Sequence, residues 1–143
     1  MNANTRISEI MTRQVDTVSP TDRMEEISAR FDGGGHYHFP VIDDDSGEIV
    51  GIVSRTDYLR LQHSLTKFKT PEAEQSNARL LHSMLVEDVM TAPVETIAPD
   101  ATLKEAADHF RNKNYHCFPV VENGKLVGII TVMDLLHHAY DSL

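Results

Sequence analysis

Cysteine is almost absent. The chain has one, Cys117, so no disulfide can form within it, which agrees with a reducing compartment. Cys117 stands in an apolar run, where a buried, inert thiol is expected. Basic residues are scarce: 13 Lys and Arg face 22 Asp and Glu, for a formal net charge of −9. That balance argues against the basic face that nucleic-acid binding requires, so no direct DNA binding is expected. No stretch approaches the ~18 consecutive apolar residues of a membrane span. Residues 1–6 also lack the apolar core of a signal peptide. A cytoplasmic location without membrane attachment is expected.

Catalytic signatures are missing too. No nucleophile elbow, ordered Ser/His/Asp set or paired-carboxylate pattern stands out, so no catalytic residue is assigned and no enzyme is expected. Gly33-Gly34-Gly35 lacks the Lys-Ser/Thr of a phosphate loop and follows a predicted helix instead of opening one; it reads as a helix stop. There are eight histidines, among them His36 and His38 on one strand face and His137-His138 near the C-terminus. None has the carboxylate spacing of a metal site, so no metal ligand is assigned.

What is present is a repetition. Met11-Thr12, Pro20, Phe31 and Phe39-Pro40-Val41 return as Met90-Thr91, Pro99, Phe110 and Phe118-Pro119-Val120, each 79 positions later. Gly51-Ile52-Val53-Ser54 and Asp57 return as Gly128-Ile129-Ile130-Thr131 and Asp134 at an offset of 77, so the first copy has two extra residues in its turn. Such self-similarity decides architecture before any other signal. Each copy has roughly 55–60 residues, near the lower limit for an independent core, so the copies are expected to pack together. The divisions expected are an N-terminal segment 1–6, repeats over 7–65 and 86–143, and a helical linker over 66–85.

Each repeat is predicted to run strand, helix, two strands, helix. Val15-Asp16-Thr17-Val18 alternates as a strand. Met24, Ile27, Ser28 and Phe31 fall at helical spacing, with Thr21 or Asp22 as the expected cap. A hairpin follows, from His38 to Ile42 and from Glu48 to Val53, and a helix begins at Ser54. In the second copy Thr102-Leu103-Lys104-Glu105 is a capping box ahead of the stripe Leu103, Ala106, Ala107 and Phe110, and Asn123-Gly124 predicts a type I′ turn. In the linker, Thr70-Pro71 reads as a helix start. Leu80, Leu81, Met84 and Leu85 offer an apolar face, either covering the core or forming a dimer surface.

Taken in order and twice over, these motifs resemble the cystathionine-β-synthase-type (CBS) domain, and the pair resembles a Bateman module standing alone. The resemblance implies an α+β fold (α/β-like): two pseudo-twofold β-α-β-β-α repeats packed through their sheets. It implies regulation, as in energy sensing, through an adenosine-type ligand in the inter-repeat cleft: AMP, ADP, ATP, S-adenosylmethionine or sometimes NAD. No obligatory cofactor is implied. A homodimer and an unknown regulated protein are the partners expected.

By the same resemblance, Asp57 and Asp134 hold ribose, while Ser54 and Thr131 contact ribose or phosphate. The position suits this, since a helix N-terminus favours phosphate. The alternative is a plain capping box, although that box ordinarily uses the longer Glu or Gln. Arg55 adds a cation for phosphate in the first copy, unless it points to solvent. The strands holding His38, Phe39, Pro40 and His116, Phe118, Pro119 are expected to line the cleft, with Thr17, Val18, Thr96 and Ile97 completing an adenine slot. Phe39 and Phe118 can equally be core residues. Some relatives carry basic residues two and three positions before the proline. Tyr37, His38, His116 and Cys117 stand there, with no arginine, which counts against tight triphosphate binding. Neutral histidine still hydrogen-bonds phosphate, more strongly once protonated. Two other functions remain: a ligand-free interaction and dimerisation module, and more remotely a metal-binding or redox protein.

Overall fold

The computed structural model describes residues 2–34, 37–65, 70–113 and 115–143; Gly35 and His36 lie outside them. Packing divides the chain into two units, a central one of Asp16–Val94 and a terminal one of Met1–Val15 with Glu95–Leu143. Each is a small mixed α+β body around a two-stranded antiparallel sheet.

In the central unit, α1 spans Met24–Asp32 and buries Met24, Ile27, Ser28 and Phe31, the four residues at helical spacing. Its cap differs from expectation. Arg23 is the N-cap and makes no side-chain cap bond; instead the Met24 N–H donates to the Met84 carbonyl at 2.9 Å. Asp22 is occupied elsewhere, its carboxylate accepting the Ser19 N–H. The helix stops at Gly33, and Gly34 follows at φ +80°, where a side chain would be strained. Strand β1 (His38–Ile42) pairs with β2 (Ile49–Ser54), setting His38 opposite Ser54. Helix α2 (Arg55–Leu65) follows at once, and Tyr58 buries its ring over Phe31. Linker helix α3 (Pro71–Ser83) begins at the predicted proline, and none of its residues of described burial is buried. Leu80 is exposed, and Met84 packs against the core just beyond the helix. A short α4 (Val86–Val89) anchors through Val86.

The terminal unit has the same plan. Helix α5 (Leu103–Lys113) is closed by the predicted box: the Thr102 N–H donates to Glu105, and the Glu105 N–H donates to the Thr102 hydroxyl. Leu103 and Ala106 are buried, whereas Ala107 is exposed, which narrows the predicted stripe. Strand β3 (Cys117–Glu122) and β4 (Lys125–Thr131) meet at Asn123 and Gly124, whose φ of 52° and 79° fit the expected type I′ turn. Helix α6 covers Val132–Asp141.

Two sequence expectations change. The strands predicted at Val15-Asp16-Thr17-Val18 and at Thr96-Ile97 shrink to single bridges, Val18 to Val41 and Ile97 to Val120. Proline is the cause. The Val18 N–H donates to the Pro40 carbonyl and the Ile42 N–H to Val18, but the next parallel bond would need an N–H on Pro40, which has none. Pro119 stops the other bridge in the same way.

The repeated Met-Thr dipeptides also dock where repetition alone does not place them. Thr12 exchanges backbone bonds of 2.9 Å with Ile129, and Thr91 bonds Ile52 at 2.8 and 3.1 Å. Each dipeptide thus joins the sheet that carries the other repeat's glycine. A Cβ on Gly51 would lie 2.6 Å from the Met90 sulfur, and one on Gly128 2.7 Å from that of Met11. The shared glycines are there to admit these straps.

Candidate functional site

In each unit the candidate residues gather where the second hairpin strand hands over to a helix. The sheet ends at Ser54 or Thr131, and the first helical N–H is taken by the residue just before the neighbouring strand: Arg55 donates to the Tyr37 carbonyl and Val132 to that of His116. The third helical N–H is taken as well, since Asp57 donates to the Ser54 hydroxyl and Asp134 to the Thr131 hydroxyl, both at 3.1 Å. Two of the backbone donors that a phosphate would seek are therefore already satisfied.

The aspartates close the box from the other side. Asp57 Oδ2 accepts the Ser54 N–H at 3.0 Å, and Asp134 Oδ2 accepts the Thr131 N–H at 2.8 Å. The shorter acid reaches, so the capping-box alternative holds in both copies although the box ordinarily uses Glu or Gln. Each carboxylate keeps its Oδ1 for other work, and here the copies differ. Asp134 Oδ1 accepts the Thr12 hydroxyl at 3.3 Å. Asp57 Oδ1 lies 4.0 Å from the exposed Arg60 guanidinium, and its carboxylate, 16% exposed, lines an open pocket of about 250 Å³ with Arg60, Ser64 and Asp88.

The other candidates are placed as follows. His38 is half-buried opposite Ser54, and Arg55 is half-exposed; His116, Thr17 and Thr96 are exposed. Val18 and Ile97 are buried beside the prolines, which are themselves buried. Phe39 and Phe118 are core residues, 0% and 2% exposed, each with a partner ring 5.0 Å away in Phe31 or Phe110. Their faces are spent on packing, so the core alternative describes them here and the adenine-facing expectation does not.

Cys117 takes the position opposite Thr131 that His38 takes opposite Ser54. Burial, reinforced by the nearby Asp134 charge, pushes its thiol from 9.0 up to about 12. It is buried, as expected, and the raised pKa disfavours the reactive thiolate. Among the described residues no group of three or more His, Cys, Asp and Glu side chains is placed to hold a metal.

Sequence reasoning missed three neighbours. Thr12 touches Asp134, and its signal was the repeated Met-Thr pair. Arg60 lies one helical turn after Asp57. Arg30 sits 4.3 Å over the Phe39 ring and 3.7 Å from Asp16, a cation beside the first-strand bridge.

The family model for the CBS domain matches residues 7–64 and 86–141. The chain is 28% identical over 139 residues to protein MJ1225 of Methanocaldococcus jannaschii, covering 96% of this chain and 48% of that one. The solved structure of MJ1225, described as a proposed archaeal homologue of g-AMPK, aligns at TM-score 0.82 and 25% identity, covering 97% of this chain and 49% of that one. A Vibrio cholerae structure described as an acetoin utilization protein, AcuB, aligns at TM-score 0.76 and 28% identity, covering 96% and 91%. CBSX2 in complex with AMP aligns at TM-score 0.78 and 25% identity, covering 96% and 98%. The chain spans about half the length of the first curated relatives it matches.

Proposed function

We propose, on the premise that this chain belongs to the CBS-domain family and carries two of its repeats, that it is a regulatory module which binds an adenosine-type ligand and signals to a partner without catalysing a reaction. The observation that carries the proposal is the Oδ1 of Asp57, which makes no cap bond and lies 4.0 Å from the exposed Arg60 guanidinium. A carboxylate half-used as a helix cap, held rigid by that use, can accept the paired hydroxyls of a ribose with the other half. The AMP-bound CBSX2, which this chain matches over nearly its whole length, supports the ligand class. AMP is preferred to ATP, because two of the helix N–H groups are already taken and no arginine stands two or three positions before either proline.

Signalling requires the ligand to bind two conformations unequally, and the ligand's differential affinity sets the limit of the response. The regulated protein is a separate chain or a part of a longer one. No helix among the described residues is long and apolar enough to cross a membrane, and we place the module in the cytoplasm.

Thermal melting with AMP, ADP, ATP, S-adenosylmethionine and NAD tests the proposal. A ligand at 100 times its Kd stabilises by about 2.7 kcal/mol. The informative variants are Asp57→Glu and Asp134→Glu, because Glu is the usual box residue and should keep the cap while displacing the acceptor. Binding lost with the unliganded melting point kept is the expected result. Silence across the panel would sink the proposal.

A second function, self-association, is favoured by one observation. Helix α6 buries no residue and leaves Met133, Leu136 and Tyr140 exposed along one face. We propose that this face pairs with a second copy of the chain.

A further inference from the structure

We propose that the terminal unit holds a second ligand site, for a small zwitterion of the amino-acid type. The site is an open pocket of about 330 Å³ at the hairpin-turn end of the sheet, within the size range of small-molecule sites. Arg6, Arg13, Asp100 and Glu122 line it around an apolar floor of Met11 and Val127.

The charges select the ligand class. Two guanidinium groups and two carboxylates share one concavity, so its lining is neutral in a chain of net charge −9. A phosphate would meet Asp100 and Glu122, and a simple amine would meet both arginines. A molecule carrying a carboxylate and an ammonium matches both, with the guanidinium fork suited to the carboxylate. Arg13 is partly oriented already, one Nη donating to the Ser8 carbonyl at 2.8 Å. Among the described residues, neither Arg6 nor Asp100 has an ion-pair partner. These are charges a ligand can use.

The repeat supplies an internal control. In the central unit Met90, Pro20, Asp43 and Val50 occupy the sequence positions of Met11, Pro99, Glu122 and Val127, so the apolar floor residues and one carboxylate recur. Leu85, Ala92 and Thr21 replace Arg6, Arg13 and Asp100. One copy folds without these three charges, so they are not a requirement of the repeat. The pocket is also separate from the nucleotide candidates. Along the strap Met11-Thr12-Arg13, the Thr12 hydroxyl reaches Asp134, while both neighbours line the pocket, as extended backbone alternates its side chains.

The test is titration of the full chain with each of the twenty common amino acids, followed by amide NMR shifts and thermal melting. Acetate, methylammonium and inorganic phosphate serve as single-charge probes. At least one amino acid should give saturable shifts centred on Arg6, Arg13 and Asp100, and none of the single-charge probes should match it. Arg6→Leu and Arg13→Ala install residues the other copy already uses, so melting should hold while affinity falls roughly tenfold to a hundredfold. Asp57→Glu and Asp134→Glu should leave this binding intact, which separates it from the nucleotide proposal. No response to any amino acid, an equal response to acetate or phosphate, or binding that survives the Arg6→Leu/Arg13→Ala double variant would overturn it.

Discussion

At the residue scale, one carboxylate in each unit is asked to do two things. Replacing Asp57 or Asp134 by Ala removes a cap and should lower stability by about 1 kcal/mol, so a loss of ligand binding in that variant is ambiguous. Glu separates the two roles, as set out above. Cys117 makes a cleaner prediction because it takes part in neither. Its folded pKa is raised, so the protonated thiol favours the fold below pH 9.0. As pH climbs from there toward 12, the unfolded chain gains by ionising and stability falls. Urea melts between pH 8 and pH 11 should show this decline, and Cys117→Val should flatten it. A thiol reagent at neutral pH should label Cys117 only after unfolding. Fast labelling of the native protein would contradict the burial.

At the scale of elements, the strap over each conserved-in-repeat glycine is the feature with most at stake. Gly51→Ala and Gly128→Ala each drive a Cβ against a methionine sulfur and a backbone carbonyl, at 3.0 Å from Thr91 and 2.8 Å from Thr12. The sulfur can swing aside; the carbonyl is held in its bridge. A loss of about 1–3 kcal/mol is expected from denaturant melts, and truncating Met90 or Met11 should restore only part of it.

Much at this scale was legible beforehand and some was not. The buried face of α1, the capping box of α5 and the Asn-Gly turn are local patterns, and local patterns carry their own cause. The cap of α1 is different: it is the carbonyl of Met84, supplied from the far end of the linker, which no window around Arg23 contains. The first strand failed for a related reason, since its length is limited by Pro40 and Pro119 on the strands it pairs with. At the site, Asp57 and Asp134 were legible as a repeated acid three residues past a strand end. Thr12 was not, because the repeat places it beside Met11 and says nothing of the sheet it joins.

For the whole molecule, two repeats in sequence become two packing units, each joining one repeat's hairpin to the other repeat's Met-Thr strap and each with its own strand-to-helix corner. Those corners are unequal. Asp57 opens on a pocket beside Arg60, while Asp134 is already engaged by Thr12. Self-association through α6 can be tested without touching either corner: Leu136, 57% exposed, can become Asp with little effect on the monomer's own stability. Sedimentation should then show a dimer for the parent chain and a monomer for Leu136→Asp; a monomeric parent would remove the α6 proposal.

The most direct test of the regulatory assignment is calorimetric titration of the full chain with AMP, beside the Asp57→Glu/Asp134→Glu double variant. The account predicts saturable heat with the parent chain, and heat lost in a double variant that melts at the parent temperature. No heat from AMP or any of the related adenosine compounds, or unchanged binding in the double variant, would contradict it.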